Sequence, residues 1–552
     1  MFLSSVPELA LLLTVTNSLF YITTAAASSL SGDQQHVLEP GSLGRGHAKQ
    51  RLKGVKKNVV LIMSDDQDAT MESVSYMPRL KQHIIEKGTH FANHFTTTPI
   101  CCPSRVSLWT GRQPHNTNVT DVNPPYGGFP KFISQGLNDA YLLVWLRETG
   151  YATYYTGKMF NSHTIWNYNS PFLKGWDGSN FLLDPGTYSY MSPIYQKNHD
   201  RPIQFHGRHT TELIQNHASE LIDEALGSGK PFFVAVAPIA PHSNIDANSG
   251  GAPVITEPIS LDRHRHLFQD AQASGVSWVA GLPQLNETMV DYLDELYCQR
   301  LRALQGVDEL IEEVVLQLED AGVLDDTYII FTSDNGYHLG QHRLPPGKEC
   351  GFEEDIRVPL FIRGPGISEG DVKEAITAHI DLAPTILKIA GAEPRDDFDG
   401  SPLPNVAGSM PSYLDNRQEH IAVEYWGIAI AEGEAGGFDG NGRIVMLNNT
   451  YKALRINSRS YDLYYAVWCN NEHELYDLKS CKGETCRRPW KVLHPDGDVE
   501  DLHDALNPRF DSFYQDQARV SFTQCEPGYI ISSEGPQTAN QYRRSLGWSH
   551  WA

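Results

Sequence analysis

Three short apolar runs, each followed closely by polar or acidic residues, constrain the fold of this chain most strongly. They cover residues 58–63, 231–237 and 327–332 and lead into Ser64-Asp65-Asp66-Gln67, Pro238-Ile239-Ala240-Pro241-His242-Ser243 and Ser333-Asp334-Asn335-Gly336. Short runs rich in β-branched residues predict strands of a parallel sheet that are buried on both faces. Because open α/β sheets build their sites where parallel strands end, we expect the polar residues after these runs to meet there.

Helical patterns alternate with these runs, at residues 77–88, 139–150, 210–226, 288–322 and 385–391. The alternation predicts an α/β fold, with a large, mainly parallel sheet sandwiched by helices, over residues 58–391. Residues 392–419, rich in Pro, Gly, Asp and Asn, predict a connector. Short strands predicted at 420–425, 451–456 and 473–478 indicate a smaller C-terminal α+β domain with an antiparallel sheet, over 420–552.

The overall charge narrows the range of partners. The 552 residues include 44 basic and 67 acidic side chains, giving a net charge of −23. This argues against nucleic-acid binding, which requires a basic surface. An anionic substrate stays open, because a local cluster of basic side chains and a metal ion can outweigh the overall field.

The N-terminus predicts export. Residues 9–24 are largely apolar and Ala25-Ala26-Ala27 offers small residues for cleavage, so we expect a signal peptide at 1–27. An uncleaved signal anchor is the alternative, although polar residues between 14 and 18 interrupt the apolar segment. The expected product is a secreted protein with no membrane attachment after signal removal, beginning with a basic flexible leader at 28–57.

Two further features fit the secretory route. N-glycosylation sequons begin at Asn118, Asn286 and Asn448. Disulfides are typical of secreted domains, but sequence alone does not define how cysteines pair. Six cysteines lie outside the motif described next: Cys298, Cys350, Cys469, Cys481, Cys486 and Cys525.

Residues 98–112 carry the most specific chemical signal. They contain C-x-P-S-R, beginning at Cys101, followed at a fixed distance by T-G-R. That is the sequence a formylglycine-generating enzyme reads when it oxidises a cysteine to an aldehyde. A chance pair of cysteines or a redox pair is the alternative, but adjacent cysteines rarely close a relaxed disulfide. We therefore predict formylglycine (3-oxoalanine) at Cys101, with that enzyme as a partner during maturation.

The acidic residues after the first and third runs indicate a metal site. A hard divalent cation such as Ca2+ takes several oxygen ligands. These would be Asp65, Asp66, Asp334 and the carbonyl of Asn335, with an oxygen of the modified Cys101 completing the set. A polar turn would explain a single aspartate, whereas two adjacent buried carboxylates require a cation. An unmodified thiol would be a poor ligand for calcium.

Four basic side chains are candidates for binding an anionic ester. The charge of such an ester must be held while its bond breaks, which requires positioned cations. Taken alone, a lysine or arginine is more typical of a charged surface, and a histidine is more typical of a structural role. Each of these four, however, lies beside the Cys101 motif or near the end of an apolar run of the kind described above. They are Arg105, Lys158 in Thr156-Gly157-Lys158-Met159, His242, and Lys348 in Pro346-Gly347-Lys348-Glu349.

Together these segments resemble the type I sulfatases of the alkaline-phosphatase-like superfamily, in particular secreted arylsulfatases and the N-acetylglucosamine-6-sulfatase branch. The resemblance implies calcium- and formylglycine-dependent hydrolysis of sulfate esters, with the metal ligands named above. It implies that Arg105 supports the aldehyde hydrate. It also implies that Lys158, His242 and Lys348 bind sulfate, the last two assisting departure of the leaving oxygen. The matching segments are 61–67, 98–112, 156–158, 240–243, 333–341, 355–360 and 474–478.

The chain departs from this family at Phe160, where many sulfatases have a histidine. Asn161, His163 and His338 are candidate neighbours for the missing base, although Asn161 cannot act as one. The expected substrates are phenol sulfates. The alternatives are an N-acetylglucosamine-6-sulfatase acting on sulfated glycans, a phosphonate or phosphate ester hydrolase, and a secreted glycan-binding protein whose site has decayed.

Overall fold

The computed structural model describes residues 56–246, 254–268, 287–392, 395–408, 420–433, 444–446, 449–457, 462–468 and 473–478. The predicted signal peptide and nearly all of the predicted leader lie outside these residues. So do two of the three sequons, at Asn286 and Asn448, and four cysteines, Cys469, Cys481, Cys486 and Cys525.

Among the described residues, twelve strands precede the C-terminal part, and ten of them form one sheet. They are β1 Asn58–Ser64, β2 Thr89–Phe95, β3 Ala152–Lys158, β4 Gly178–Leu182, β5 Ile194–Lys197, β6 Ile203–Gln204, β7 Phe232–Ala237, β8 Asn244–Asp246, β9 Val254–Thr256, β10 Thr327–Ser333, β11 Leu360–Arg363 and β12 Asp371–Ala378. The sheet order is β12-β2-β11-β10-β1-β7-β3-β4-β5-β6, and β8 pairs with β9 separately.

The centre of the sheet is parallel, as the sequence predicts. Strands β10, β1, β7, β3 and β4 run in the same direction. The flanking pairs β10–β11, β11–β2, β4–β5 and β5–β6 are antiparallel. Of the central five strands, sequence analysis anticipates β1, β7 and β10, whose apolar runs are continuous.

Burial on both faces explains those continuous runs. Val59 and Leu61 of β1 point into one apolar layer, while Val60 and Ile62 point into the opposite layer. Side chains of successive strand residues alternate between faces, so a strand covered on both sides must be apolar throughout.

Helices cover both faces of the sheet. They are α1 Pro78–Leu80, α2 Cys101–Thr110, α3 Pro114–Thr117, α4 Gly128–Ser134, α5 Leu142–Glu148, α6 Thr210–Gly227, α7 Glu287–Asp320, α8 Glu353–Ile356 and α9 Leu382–Ile389. Helices α2, α5 and α9 contribute to one apolar layer, and α6 and α7 to the other. The helical pattern at 77–88 is only partly α-helical, because α1 continues as a π-helical turn at Lys81–Ile85.

The C-terminal part contains the predicted antiparallel sheet. It has the order β13-β16-β17-β18, formed by β13 His420–Tyr425, β16 Tyr451–Asn457, β17 Asp462–Trp468 and β18 His473–Asp477. A ribbon of β14 Ala429–Ile430 and β15 Ile444–Met446 lies between β13 and β16 in the chain. Tyr451 and Tyr464 pack with Phe95 and Ile356, which lie before the C-terminal part, so one apolar cluster joins the two sheets.

No helix within the described part of the chain is long and apolar enough to cross a bilayer.

Candidate active site

The aspartates that follow β1 and β10 lie together. Parallel pairing puts Ser64 opposite Ser333, so the residues that follow emerge side by side. Carboxylate oxygens of Asp65, Asp66 and Asp334 lie within 4.8 Å of one another, and all three side chains are buried. Oδ1 of Asp334 accepts hydrogen bonds from the backbone N–H of Asp66 at 3.1 Å and of Asn335 at 2.9 Å. The two turns therefore hold one another in place.

Cys101 is the first residue of α2 and lies against this cluster. Its Sγ is 3.7 Å from Oδ1 of Asp65. Burial raises the pKa of the Cys101 thiol, so an unmodified side chain stays protonated and is a weak nucleophile. Cys102 packs in the apolar layer beneath α2, where burial raises its pKa to about 12. The adjacent cysteines thus have different surroundings, and only the first one contacts the acidic cluster.

Arginine and lysine side chains surround the carboxylates. Nε of Arg105, one turn into α2, donates to Asp334 at 2.8 Å, and another guanidinium nitrogen lies 3.4 Å from Asp65. Nζ of Lys158, at the end of β3, lies 2.6 Å from Oδ2 of Asp65. Arg105 also donates to the backbone carbonyl of Lys158, which ties α2 to β3.

Two further basic side chains contact Asp66. Nζ of Lys348 lies 2.7 Å from both carboxylate oxygens of Asp66. Nε2 of His242 lies 3.6 Å from Oδ2, while Nδ1 of His242 lies 2.8 Å from the carbonyl of Ser243. The structure therefore brings together all of the basic side chains that the sequence selects, around the three aspartates.

Burial and neighbouring charges shift the pKa values of the carboxyl groups in opposite directions. Burial and repulsion by Asp334 raise the pKa of Asp65 to about 7, against the lowering effect of Lys158 and Arg105. Burial would also raise the pKa of Asp66, but Lys348 and His242 outweigh it and hold the pKa below its ordinary value. Burial lowers the pKa of His242 to about 4, although Asp66 opposes that shift. At neutral pH His242 is therefore an uncharged imidazole.

The donor set fits a hard divalent cation. Oδ1 of Asn335 is buried and has no hydrogen-bond partner among the described residues. The amide nitrogen of Asn335 donates to Asp66 at 2.7 Å, which fixes the side chain within the cluster. An orphaned amide oxygen beside three buried carboxylates is the ligand type that calcium or magnesium takes. Such an ion would also relieve the repulsion that raises the pKa of Asp65.

Comparison with known proteins identifies the family. The Sulfatase family model matches residues 57–392. The chain belongs to the sulfatase family. Sulfatases are generally formylglycine- and metal-dependent, and this one hydrolyses sulfate esters.

Individual relatives agree with that assignment. An arylsulfatase of Volvox carteri is 36% identical over 86% of this sulfatase and 82% of its own length. The human N-acetylglucosamine-6-sulfatase is 29% identical over 79% of this chain and 86% of its own. A solved structure of a protein with its substrate D-glucosamine-2-N,6-O-disulfate has a TM-score of 0.63, with 19% identity over 83% of this chain and 98% of that one. At that identity the likeness supports the fold alone.

Phe160 and the three candidates for the missing base have other partners in this sulfatase. Phe160 packs on Phe132, with ring centroids 4.6 Å apart. Asn161 donates to the hydroxyl of Tyr188 at 2.7 Å. His163 packs on an aromatic ring, and burial lowers its pKa to about 3. His338 is held through Nδ1 by Asp355 at 2.8 Å. The structure therefore assigns none of the three candidates to the role of the missing base.

Two positioning contacts escape the sequence analysis. The ring of Tyr188 stacks on His242, with centroids 4.2 Å apart, and Nζ of Lys158 lies 4.7 Å from the same ring. The buried guanidinium of Arg300, on α7, donates to the backbone carbonyls of Asp66 and Pro241. Neither has a local sequence signal, because each acts on residues far away in the chain.

Proposed function

We propose that this sulfatase is a secreted arylsulfatase that hydrolyses phenol sulfates with the help of Ca2+ and a formylglycine at Cys101. The observation that carries the proposal is the position of Cys101, 3.7 Å from Asp65 at the edge of a buried cluster of three carboxylates. The similarity to an arylsulfatase over most of both chains supports the choice of substrate.

The charges of the site suit an anionic ester. Three carboxylates face three permanent cations, so these side chains alone are close to neutral. A divalent ion held by Asp65, Asp66, Asp334 and Asn335 would make the site positive and polarise the sulfate oxygens. That net positive charge favours binding of a singly charged sulfate ester in a buried site.

Each side chain then has a distinct task. The hydrated aldehyde at residue 101 supplies the nucleophilic hydroxyl, which a buried thiol cannot provide. Arg105 holds Asp334 through a hydrogen bond and Asp65 through an ion pair, and keeps their oxygens in place. Lys158 binds the sulfate oxygens on the Asp65 side. Lys348 and His242 lie on the Asp66 side, where we expect them to contact the leaving oxygen.

The modification is tested by mass spectrometry of the tryptic peptide that spans residues 88–105. We expect the mass of an aldehyde in place of a thiol at Cys101 and an unmodified Cys102. Cys101→Ala should abolish turnover, while Cys102→Ala is the matched control that keeps the aldehyde. A thiol or disulfide at Cys101 in fully active protein would contradict the mechanism.

The metal is tested by elemental analysis of purified protein. We expect about one calcium per chain, lost together with activity in Asp334→Asn. Treatment with a chelator should remove the calcium and the activity of the wild type, and added calcium should restore both. Full calcium content in an inactive Asp334→Asn variant would show that Asp334 is not a ligand.

The leaving group separates the proposal from its alternatives. An acidic phenol leaves without a proton, whereas a sugar hydroxyl requires a general acid. We expect kcat/KM to be higher for 4-nitrophenyl sulfate than for N-acetylglucosamine 6-sulfate or 4-nitrophenyl phosphate. A preference for the sulfated sugar or the phosphate would replace the proposal with that alternative. Absence of turnover on all three, with the aldehyde present, would favour a glycan-binding protein.

Secretion is tested on the expressed protein. We expect N-terminal sequencing to show cleavage near Ala27, and glycosidase treatment to lower the mass. Asn118 is exposed at the end of α3 and is therefore accessible to the modification. An intact N-terminus on membrane-bound protein would instead favour the uncleaved signal anchor.

A further inference from the structure

The C-terminal part of the chain places a carboxylate next to Lys348. The segment that contains Glu432 follows β14 and crosses the loop that carries Lys348. The backbone N–H of Ile430 donates to Glu349 at 2.7 Å, and that of Glu432 donates to the carbonyl of Pro346 at 2.7 Å. A side chain at Gly347 would place its Cβ 2.8 Å from the carbonyl oxygen of Ile430, so the close crossing requires glycine there. The backbone of Glu432 is thus fixed on the Lys348 loop.

The carboxylate of Glu432 has one oxygen engaged and one unpaired. Oε1 lies 3.3 Å from Nζ of Lys348. Oε2 is buried and has no hydrogen-bond partner in the described part of the chain. A buried carboxylate oxygen without a donor is costly, unless a bound molecule supplies one. Glu432 therefore has an acceptor available to a ligand.

The carboxylate of Glu432 lies closer to solvent than the three aspartates do. The side chain of Glu432 is 12% exposed, compared with 4% for Lys348 and 0% for Asp66. One ligand atom each of Asp66, His242 and Glu432 lies within 4.8 Å of the others. A leaving group on the side of Lys348 and His242 would therefore lie close to Glu432.

We propose that Glu432 is a specificity-determining residue that contacts the leaving group of the substrate. The inference rests on the proposed function, which puts Lys348 and His242 at the leaving oxygen. Glu432 favours leaving groups that carry a hydroxyl or ammonium donor close to the ester oxygen. It disfavours leaving groups with a carboxylate or a second sulfate, because like charges repel strongly in a partly buried site.

The test compares three aryl sulfates that differ in one meta substituent. They are 3-(aminomethyl)phenyl sulfate, 3-(hydroxymethyl)phenyl sulfate and 3-carboxyphenyl sulfate, assayed at neutral pH. The proteins are the wild type, Glu432→Gln and the control Glu86→Gln, which removes one exposed negative charge between α1 and β2, outside the site residues named above. Comparing each substrate across the proteins cancels the differences in leaving-group acidity.

We expect the ratio of kcat/KM for the ammonium substrate to that for the carboxylate substrate to fall by about tenfold or more in Glu432→Gln. The hydroxymethyl substrate should change less than either charged one, and Glu86→Gln should keep the ratio of the wild type. An unchanged ratio in folded Glu432→Gln would overturn the inference. So would an equal fall in Glu86→Gln.

A second measurement uses only the wild-type protein. It tests whether Glu432 contacts the leaving group even if Glu432→Gln does not fold. Inhibition of the wild type by 3-(aminomethyl)phenol should be stronger than inhibition by 3-hydroxybenzoate. Equal inhibition would overturn the assignment of Glu432. If the wild type hydrolyses none of the aryl sulfates, the proposed function fails instead, so the two failures are distinguishable.

Discussion

Replacing Arg300 by Met tests whether one guanidinium positions two parts of the active site. Arg300 donates to the carbonyl of Asp66 and, at 3.2 Å, to that of Pro241. Its guanidinium also lies 4.1 Å from the ring centre of Tyr337. The turn after β1, the loop before His242 and the segment after β10 are thus joined by one side chain.

The structure indicates how large the effect should be. A hydrogen bond to a charged group contributes about 1.5–3 kcal/mol, and a cation–π contact about 0.5–2 kcal/mol. Losing all three contacts should cost about 3.5–8 kcal/mol of stability, if those single contributions add. Asp66 also has a left-handed backbone conformation, with φ 68°, which a non-glycine residue adopts only when its surroundings hold it. A shift of about 1 Å in such a residue can lower the rate by about 100-fold.

The matched control is Arg302→Met on the same helix. Arg302 is also buried, and donates to the carbonyl of Leu267 at 2.7 Å and to Glu295 at 2.9 Å. Both variants should melt at lower temperature than the wild type in a fluorimetric scan. Only Arg300→Met should lose about 10- to 100-fold in kcat per mole of folded protein. Equal activity of the two folded variants would refute the positioning role of Arg300.

Three further predictions concern other contacts of the site and of the C-terminal sheet. Tyr188→Leu should lower kcat/KM by about 3- to 30-fold, which corresponds to the free energy of a cation–π contact. Tyr188→Phe keeps the ring and should stay near the wild type. Equal losses in the two variants would mean that the hydroxyl matters instead. Alanine at Lys158, His242 or Lys348 should cost about 100- to 1,000-fold in rate with little change in melting temperature, and a variant that keeps its rate would mark that residue as a bystander. Burial alone would raise the pKa of Glu424. The effect of His115, which lies 2.8 Å away, and of Lys452 is larger and holds the pKa below the ordinary 4.5. Stability from this pair is therefore present above pH 4.5 and is lost as the pH falls below it, so melting temperature should fall less on acidification in Glu424→Gln than in the wild type.

Sequence reasoning succeeds for the parts of the molecule in which neighbouring residues carry the signal. The strands β1, β7 and β10 are continuous apolar runs, because both faces of the sheet centre are covered, and each is followed closely by its site residues. The strands β2, β3, β4, β5, β6, β11 and β12 are not anticipated. In β2, for example, Thr89–Phe95 mixes polar and apolar residues at the flank of the sheet, so its pattern is weaker than that of a central strand.

The same limit applies to the active site. Cys101 and Asp65 can be selected because their motifs are local and chemically specific, and the structure does bring them together. Arg300 cannot be selected, because nothing in the pattern of α7 distinguishes a buried arginine that donates to distant carbonyls from a solvent-exposed one. Tyr188 is missed for the same reason, since its partners Lys158 and His242 are 30 and 54 positions away in the sequence.

The position of Glu432 bears on how far similarity to the family can predict substrate preference. The family model ends at residue 392, and the metal ligands and the cysteine motif all lie before that point. The segment that carries Glu432 comes after it, and two backbone hydrogen bonds hold that segment on the loop of Lys348. Similarity over the matched residues therefore supports sulfate ester hydrolysis, but it does not cover the side chain that would contact the leaving group. Two sulfatases with the same buried cluster can accordingly differ in substrate through a few residues of the C-terminal part.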